Sequence, residues 1–181
     1  MKGSIFIALN EMVEEVAGMA AWDAALSEVN PDSGGIYTSV DTYPDEELFA
    51  LVDTLSSQLN IPFNDLVRMF GVNLFAFLNS RYPMYVESAD SLFTFLESIN
   101  NDIHKEVQIL YPSAYLPAID CKRISDLEVE MHYASRRKLC VLAEGLVMGA
   151  AKQFGKNINF KHELCMHDGN DHCEFRIIIV G

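Results

Sequence analysis

Basic side chains are scarce in this sequence: 13 Lys and Arg stand against 26 Asp and Glu, a net charge of −13. So acidic a chain offers little to a phosphate backbone or an anionic lipid surface, which excludes nucleic acid and membrane as main partners and favours a partner with a basic docking face. Long hydrophobic runs are lacking too. The most apolar stretch, Met69 to Ser80, is about twelve residues and includes Asn73 and Asn79, short of the roughly 20 residues of a membrane span. The start, Met1 to Leu9, is apolar, but Glu11, Glu14 and Glu15 arrive where a secretory leader would be cleaved. It reads instead as the amphipathic first helix of a cytoplasmic protein. Cysteines are few (Cys121, Cys140, Cys165 and Cys173), and in that compartment they read as thiols or metal ligands rather than disulfides. Repeats and low-complexity tracts are absent, and the 181 residues, half of them hydrophobic, suit one domain with a substantial core.

The first 110 residues read as helices. Ile5, Leu9, Met12, Val13 and Val16 recur at helical spacing, as do Trp22, Ala25, Leu26 and Val29. Asn30 to Gly35 is a break. A third helix starts near Pro44, with Asp45, Glu46 and Glu47 favourable at its N-terminus. Asn60 and Pro62 open a fourth, and Ser88 or Asp90 caps a long fifth helix reaching Leu110, with Leu92, Leu96, Ile99, Ile103, Val107 and Leu110 as its buried stripe. Beyond Tyr111-Pro112 the period changes to that of a strand, with Leu127, Val129, Met131 and Tyr133 alternating with Glu128, Glu130 and His132. A helix over residues 137–154 follows, then two strands, 157–165 and 173–180, joined through Asp168-Gly169 as a hairpin. Helices followed by an antiparallel sheet make an α+β domain.

Three groups of residues carry chemistry. His104 sits beside the stripe of the fifth helix, where an imidazole is either satisfied by a hydrogen bond or free to bind iron. Tyr133, Ser135 and Arg137, if extended, share one face and offer a phenol, a hydroxyl and a guanidinium to a dicarboxylate; a strand end with a solvated arginine is the plainer alternative. Between His162 and Cys173, two thiols and three imidazoles (His162, His167, His172) crowd one hairpin, with Cys140 placed to add a fourth ligand for tetrahedral zinc; reduced thiols and polar turn histidines are the other reading.

Taken in order, His104, Tyr111-Pro112, Leu116-Pro117 and the Tyr-x-Ser-x-Arg run at 133–137 resemble the haem nitric oxide/oxygen binding (H-NOX) family, related to the haem domain of soluble guanylate cyclase. The resemblance spans the chain and implies an N-terminal helical lobe and a second lobe with the antiparallel sheet, haem b buried between them. It divides one sensor domain over residues 1–181 into a distal lobe of approximately residues 1–60 and a proximal lobe of 61–181. It implies that His104 is the proximal iron ligand, that Tyr133, Ser135 and Arg137 clasp the propionates, that Pro117 presses on the porphyrin, and that Ile5 packs on its other side. It further implies a zinc site of Cys140, His162, Cys165 and Cys173, leaving His167 and His172 as solvated turn residues, with thiol oxidation as a second input.

Relatives that hold oxygen use a tyrosine hydroxyl at the position occupied here by Leu142, and the neighbouring distal positions Ile5, Leu9, Leu74 and Leu146 are also apolar. A donor there stabilises bound oxygen by about 1.5–3 kcal/mol, whereas nitric oxide needs none. The implied function is a stand-alone bacterial nitric oxide sensor, not an enzyme. Its signal would pass to a separate sensor histidine kinase, or a diguanylate cyclase or phosphodiesterase, after loss of the His104–iron bond frees the helical lobe to rotate. The rivals are an oxygen-binding haem sensor, which would need Cys140, Tyr82 or Tyr85 in the distal pocket; a peroxidase-like enzyme, which would need a distal acid–base pair; and a non-haem zinc and thiol redox module.

Overall fold

The computed structural model describes residues 1–180. It begins with four helices, α1 (Gly3–Ala17), α2 (Met19–Val29), α3 (Asp45–Leu59) and α4 (Phe63–Arg81). Asparagines end two of them in the left-handed region, Asn30 after α2 (φ 44°) and Asn60 after α3 (φ 52°), where a short polar side chain is tolerated. Pro44 and Pro62 stand just ahead of α3 and α4. Apolar faces of all four meet around Phe6, Leu9, Leu51, Leu55, Leu66 and Phe70, each at most 2% exposed. This cluster runs past residue 60 into α4 as far as Phe77. Among the described residues no single helix is long and apolar enough to cross a membrane.

The expected long fifth helix is three pieces. A short α5 (Met84–Glu87) follows Pro83, and α6 (Leu92–Ser98) is capped by Ser91, whose Oγ accepts from the Thr94 N–H, rather than by Ser88 or Asp90. A π-helical turn (Ile99–Ile103) then leads into α7 (His104–Leu110). The stripe ends early for this reason. Leu92 and Leu96 are fully buried and Val107 half-buried, but the wider turn rotates α7 about its axis, and Leu110 is 69% exposed.

Four strands form one antiparallel sheet in the order β1-β2-β4-β3: β1 (Ala118–Ser125), β2 (Glu128–Ala134), β3 (Asn157–Leu164) and β4 (Cys173–Val180). The sequence pattern shows three of them. β1 is an edge strand whose alternation, Ile119 and Cys121 against Asp120 and Lys122, lasts only to Lys122 before the exposed Arg123 to Ser125. Val129, Met131, Tyr133, Cys173, Phe175 and Ile177 form the inner face, covered by α6 and by α8 (Cys140–Gln153), and make a second core.

α8 joins the two cores. Leu142 faces the helical cluster, while Cys140, Ala143 and Val147 face the sheet. It crosses α4 at glycines: a Cβ on Gly145 would lie 2.2 Å from the Arg68 carbonyl oxygen, and one on Gly71 2.5 Å from that of Leu142. Only glycine allows backbones this close.

Candidate haem and metal sites

His104 is the first residue of α7, directly after the π-turn. Such turns recur at functional sites because they displace one side chain from the helical register. The imidazole is half-buried with its Nδ1 fully enclosed, and among the described residues no side chain hydrogen-bonds the ring. Burial lowers the proton affinity of the ring, the Pro117 backbone offsetting part of that, so the neutral form that a metal requires is favoured. Pro117 itself is half-buried in the loop between α7 and β1.

The Tyr-x-Ser-x-Arg run straddles a strand end rather than lying in one strand. Tyr133 belongs to β2, Ser135 follows it, and residues 136 and 137 form a turn closed by the Lys138 N–H on the Ser135 carbonyl (3.0 Å). Tyr133 and Ser135 are 3% and 4% exposed. The Tyr133 hydroxyl accepts from the Leu139 N–H (3.1 Å), and the Ser135 hydroxyl from the Arg137 N–H (3.2 Å). Both therefore keep their own protons to donate. Burial pushes the Tyr133 phenol up to about 12, so it remains a donor at neutral pH. Arg137 donates from Nε to Asp45 Oδ2 (2.6 Å) and from Nη1 to the Tyr115 carbonyl (2.7 Å). Its second Nη has no such bond. Two hydroxyls and a guanidinium edge suit a dianion.

Ile5, Leu9, Leu74, Leu142 and Leu146, from α1, α4 and α8, lie in one apolar cluster: Leu9, Leu74 and Leu142 are buried, with Ile5 and Leu146 packed against them. The candidate polar donors are elsewhere. Tyr82 is 49% exposed, Tyr85 hydrogen-bonds Glu106, and Cys140 is in the second core.

The thiol cluster forms where α8 begins beside the β3–β4 hairpin. Cys140, His162, Cys165 and Cys173 each offer a ligand atom, all within 4.8 Å of one another. The Cys140 and Cys165 sulfurs are 4.0 Å apart, and all four cysteines of the chain are free thiols. Burial and the neighbouring sulfurs raise the Cys140 thiol, and burial raises that of Cys173. Without a cation the sulfurs resist ionising together; a divalent ion reverses that. His167 hydrogen-bonds the Lys138 carbonyl (2.9 Å) and lies outside this group. Cys121 stands apart on β1.

Sequence reasoning missed two contributors to the clasp. Asp45 stands out only as one of three acids at the start of α3, and Tyr115 has no motif; both hold Arg137 from positions remote in sequence.

A half-buried neutral imidazole, a run with two buried hydroxyls and a guanidinium, and an apolar helical cluster are the kinds of group that a flat, dicarboxylate-bearing iron cofactor needs. Comparison with known proteins names it more closely: the chain belongs to the haem-NO-binding (H-NOX) family, whose description, Haem-NO-binding, matches residues 2–162. The family comprises haem-based gas sensors, not enzymes. Among solved structures, the H-NOX protein of Shewanella oneidensis in its Fe(II)NO ligation state is 37% identical, with a TM-score of 0.93 over 100% of both chains. The Fe(II) unliganded H-NOX protein of K. algicida is 28% identical, with a TM-score of 0.91 over 100% of this chain and 97% of that one. An I5F mutant of the T. Tengcongensis H-NOX, at 21% identity and a TM-score of 0.89, covers 100% of this chain and 98% of that one and shares the fold. No curated protein matches the chain.

Proposed function

We propose that this protein is a cytoplasmic nitric oxide sensor that holds haem b through His104. The observation that carries the reading is the His104 imidazole, set directly after the π-turn and kept neutral by burial, in a chain that also supplies the buried Tyr133 and Ser135 hydroxyls and the Arg137 guanidinium. Tyr133, Ser135 and Arg137 would hold the two haem propionates, Pro117 would pack against the haem together with His104, and Ile5, Leu9, Leu74, Leu142 and Leu146 would give it an apolar wall. When bound, the haem supplies a ferrous iron that takes up a diatomic gas.

The residues then set which gas binds and how its binding is relayed. The apolar distal cluster withholds the hydrogen bond that oxygen needs, and nitric oxide does without it. Family membership and the Fe(II)NO state of the Shewanella oneidensis relative support that choice. His104 opens α7, and Arg137 reaches α3 through Asp45, so a change at either is passed to a different helix. The output is a surface change read by a separate protein, a sensor histidine kinase in the first place, a diguanylate cyclase or phosphodiesterase in the second. Cys140, His162, Cys165 and Cys173 hold Zn2+, fastening the last hairpin to α8, and oxidation of those thiolates supplies a second input.

Haem content per chain tests the core of this. The wild type retains one haem through gel filtration, whereas His104→Gly retains it only with imidazole supplied in the buffer. Full haem retention by His104→Gly without imidazole contradicts the assignment.

A further inference from the structure

The outer face of the sheet brings together groups that neither the haem clasp nor the thiol cluster uses. His132 on β2 lies directly opposite Glu174 on β4, and Tyr133 opposite Cys173. Strand alternation turns Tyr133 and Cys173 inward and His132 and Glu174 outward, and His172, just ahead of β4, lies against the His132 ring. His132, His172 and Glu174 each have a ligand atom, all within 4.8 Å of one another. The two imidazole rings are 4.8 Å apart between centroids.

Three details distinguish this group from an ordinary polar sheet face. His132 Nε2 is enclosed without a hydrogen-bond partner, 3.3 Å from a Glu130 carboxylate oxygen and 3.8 Å from one of Glu174. His172 is bonded at Nδ1 by Asp171 Oδ1 (2.5 Å), which leaves Nε2 to bind and gives the ring the carboxylate support that metal-binding histidines use. Arg176, two residues along β4 from Glu174, is taken by Glu128 (2.8 Å), Glu130 (3.2 Å) and Glu163 (3.3 Å). Among the described residues, the only ionic neighbour of Glu174 is His132.

We propose that His132, His172 and Glu174 form a second divalent-cation site, on the opposite face of β4 from the thiol cluster. Two imidazoles and one carboxylate select a borderline ion such as Zn2+ over Ca2+ or Mg2+, which prefer all-oxygen sets, and the half-exposed position leaves coordination places for water. An ion there clamps β2 to the hairpin directly behind Tyr133 and Cys173, so the outer site loads the two strands that carry the clasp and the thiols.

Equilibrium dialysis of the tag-free, haem-loaded protein against Zn2+, with metal analysis afterwards, tests this. Wild type takes two zinc ions per chain; His132→Ala and Glu174→Gln each take one, and Cys165→Ser takes one, the outer ion. Asp171→Asn weakens the second ion about tenfold or more. If only the thiol assignment is wrong, wild type takes a single ion that His132→Ala loses. Saturation of wild type at one ion that His132→Ala keeps, or two ions retained by both His132→Ala and Glu174→Gln, overturns the proposal. Both substitutions are at half-exposed surface positions, and an unchanged circular dichroism spectrum checks that the fold is intact.

Discussion

Arg137 and Asp45, 92 residues apart in sequence, are joined by a 2.6 Å hydrogen bond from the guanidinium Nε to the carboxylate, with side chains only 12% and 19% exposed. The contact ties the end of β2, where the clasp lies, to the first turn of α3. Removing one partner of a pair this enclosed leaves a charge without compensation, so Asp45→Ala lowers unfolding stability by about 3 kcal/mol, read as a shift in the urea midpoint.

The same carboxylate sets an acid limit. Burial raises its pKa, but the Arg137 guanidinium and the Met1 amine outweigh that and hold it below the usual carboxylate value. A group depressed in the folded state contributes stability above its unfolded pKa, about 3.9, and loses it as pH falls through the lower folded value. Stability of the wild type therefore falls away below about pH 4, and the fall is shallower in Asp45→Asn. Equal slopes in the two proteins refute this role.

The α4–α8 crossing is sensitive to a single methyl group. A Cβ at position 145 meets the Arg68 carbonyl oxygen at 2.2 Å, and a backbone oxygen cannot swing aside as a side-chain tip does. Gly145→Ala costs about 2–3 kcal/mol, lowering Tm by several degrees in a protein of this size. Gly155→Ala is no control for this, because its positive φ adds strain of its own.

Most of the helices were legible because each was amphipathic and bounded by Pro, Asn or an acidic first turn, as at Pro44, Asn60 and Pro62. The break at Ile99–Ile103 was not, since a π-turn leaves the apolar spacing nearly intact while rotating the next helix, α7, about its axis. β1 was missed because its alternation, Ile119 and Cys121 against Asp120 and Lys122, is short and gives way to exposed residues from Lys122 on. In the sites, Tyr133 and Ser135 were legible as neighbours in sequence, but the Arg137 contact with Asp45 depends on tertiary packing. His172 read as a solvated turn residue, and the structure sets it half-buried against His132; only the β2–β4 register pairs His132 with Glu174.

Zinc content tracks the thiol cluster. Cys165→Ser removes the inner ion, and mild oxidation of the wild type releases it in step with thiol loss, monitored with a zinc-sensitive dye. Cys121→Ser leaves it in place, because Cys121 is on β1, away from the cluster.

In the proposed reading, ligand choice turns on Leu142. It is 9% exposed within the apolar cluster that also holds Leu9 and Leu74. Leu142→Tyr introduces a hydroxyl there, at a packing cost of about 1–3 kcal/mol, and gives a protein whose reduced spectrum changes in air and stays changed. An air-insensitive Leu142→Tyr places the distal pocket elsewhere.

The most direct measurement is the visible absorption spectrum of the reduced wild-type protein under argon, then in air, then with nitric oxide. A haem spectrum with His104 as its one protein ligand, unchanged when first exposed to air and shifted by nitric oxide, is the predicted result. A stable oxygen complex, or no haem absorption at all, contradicts the account.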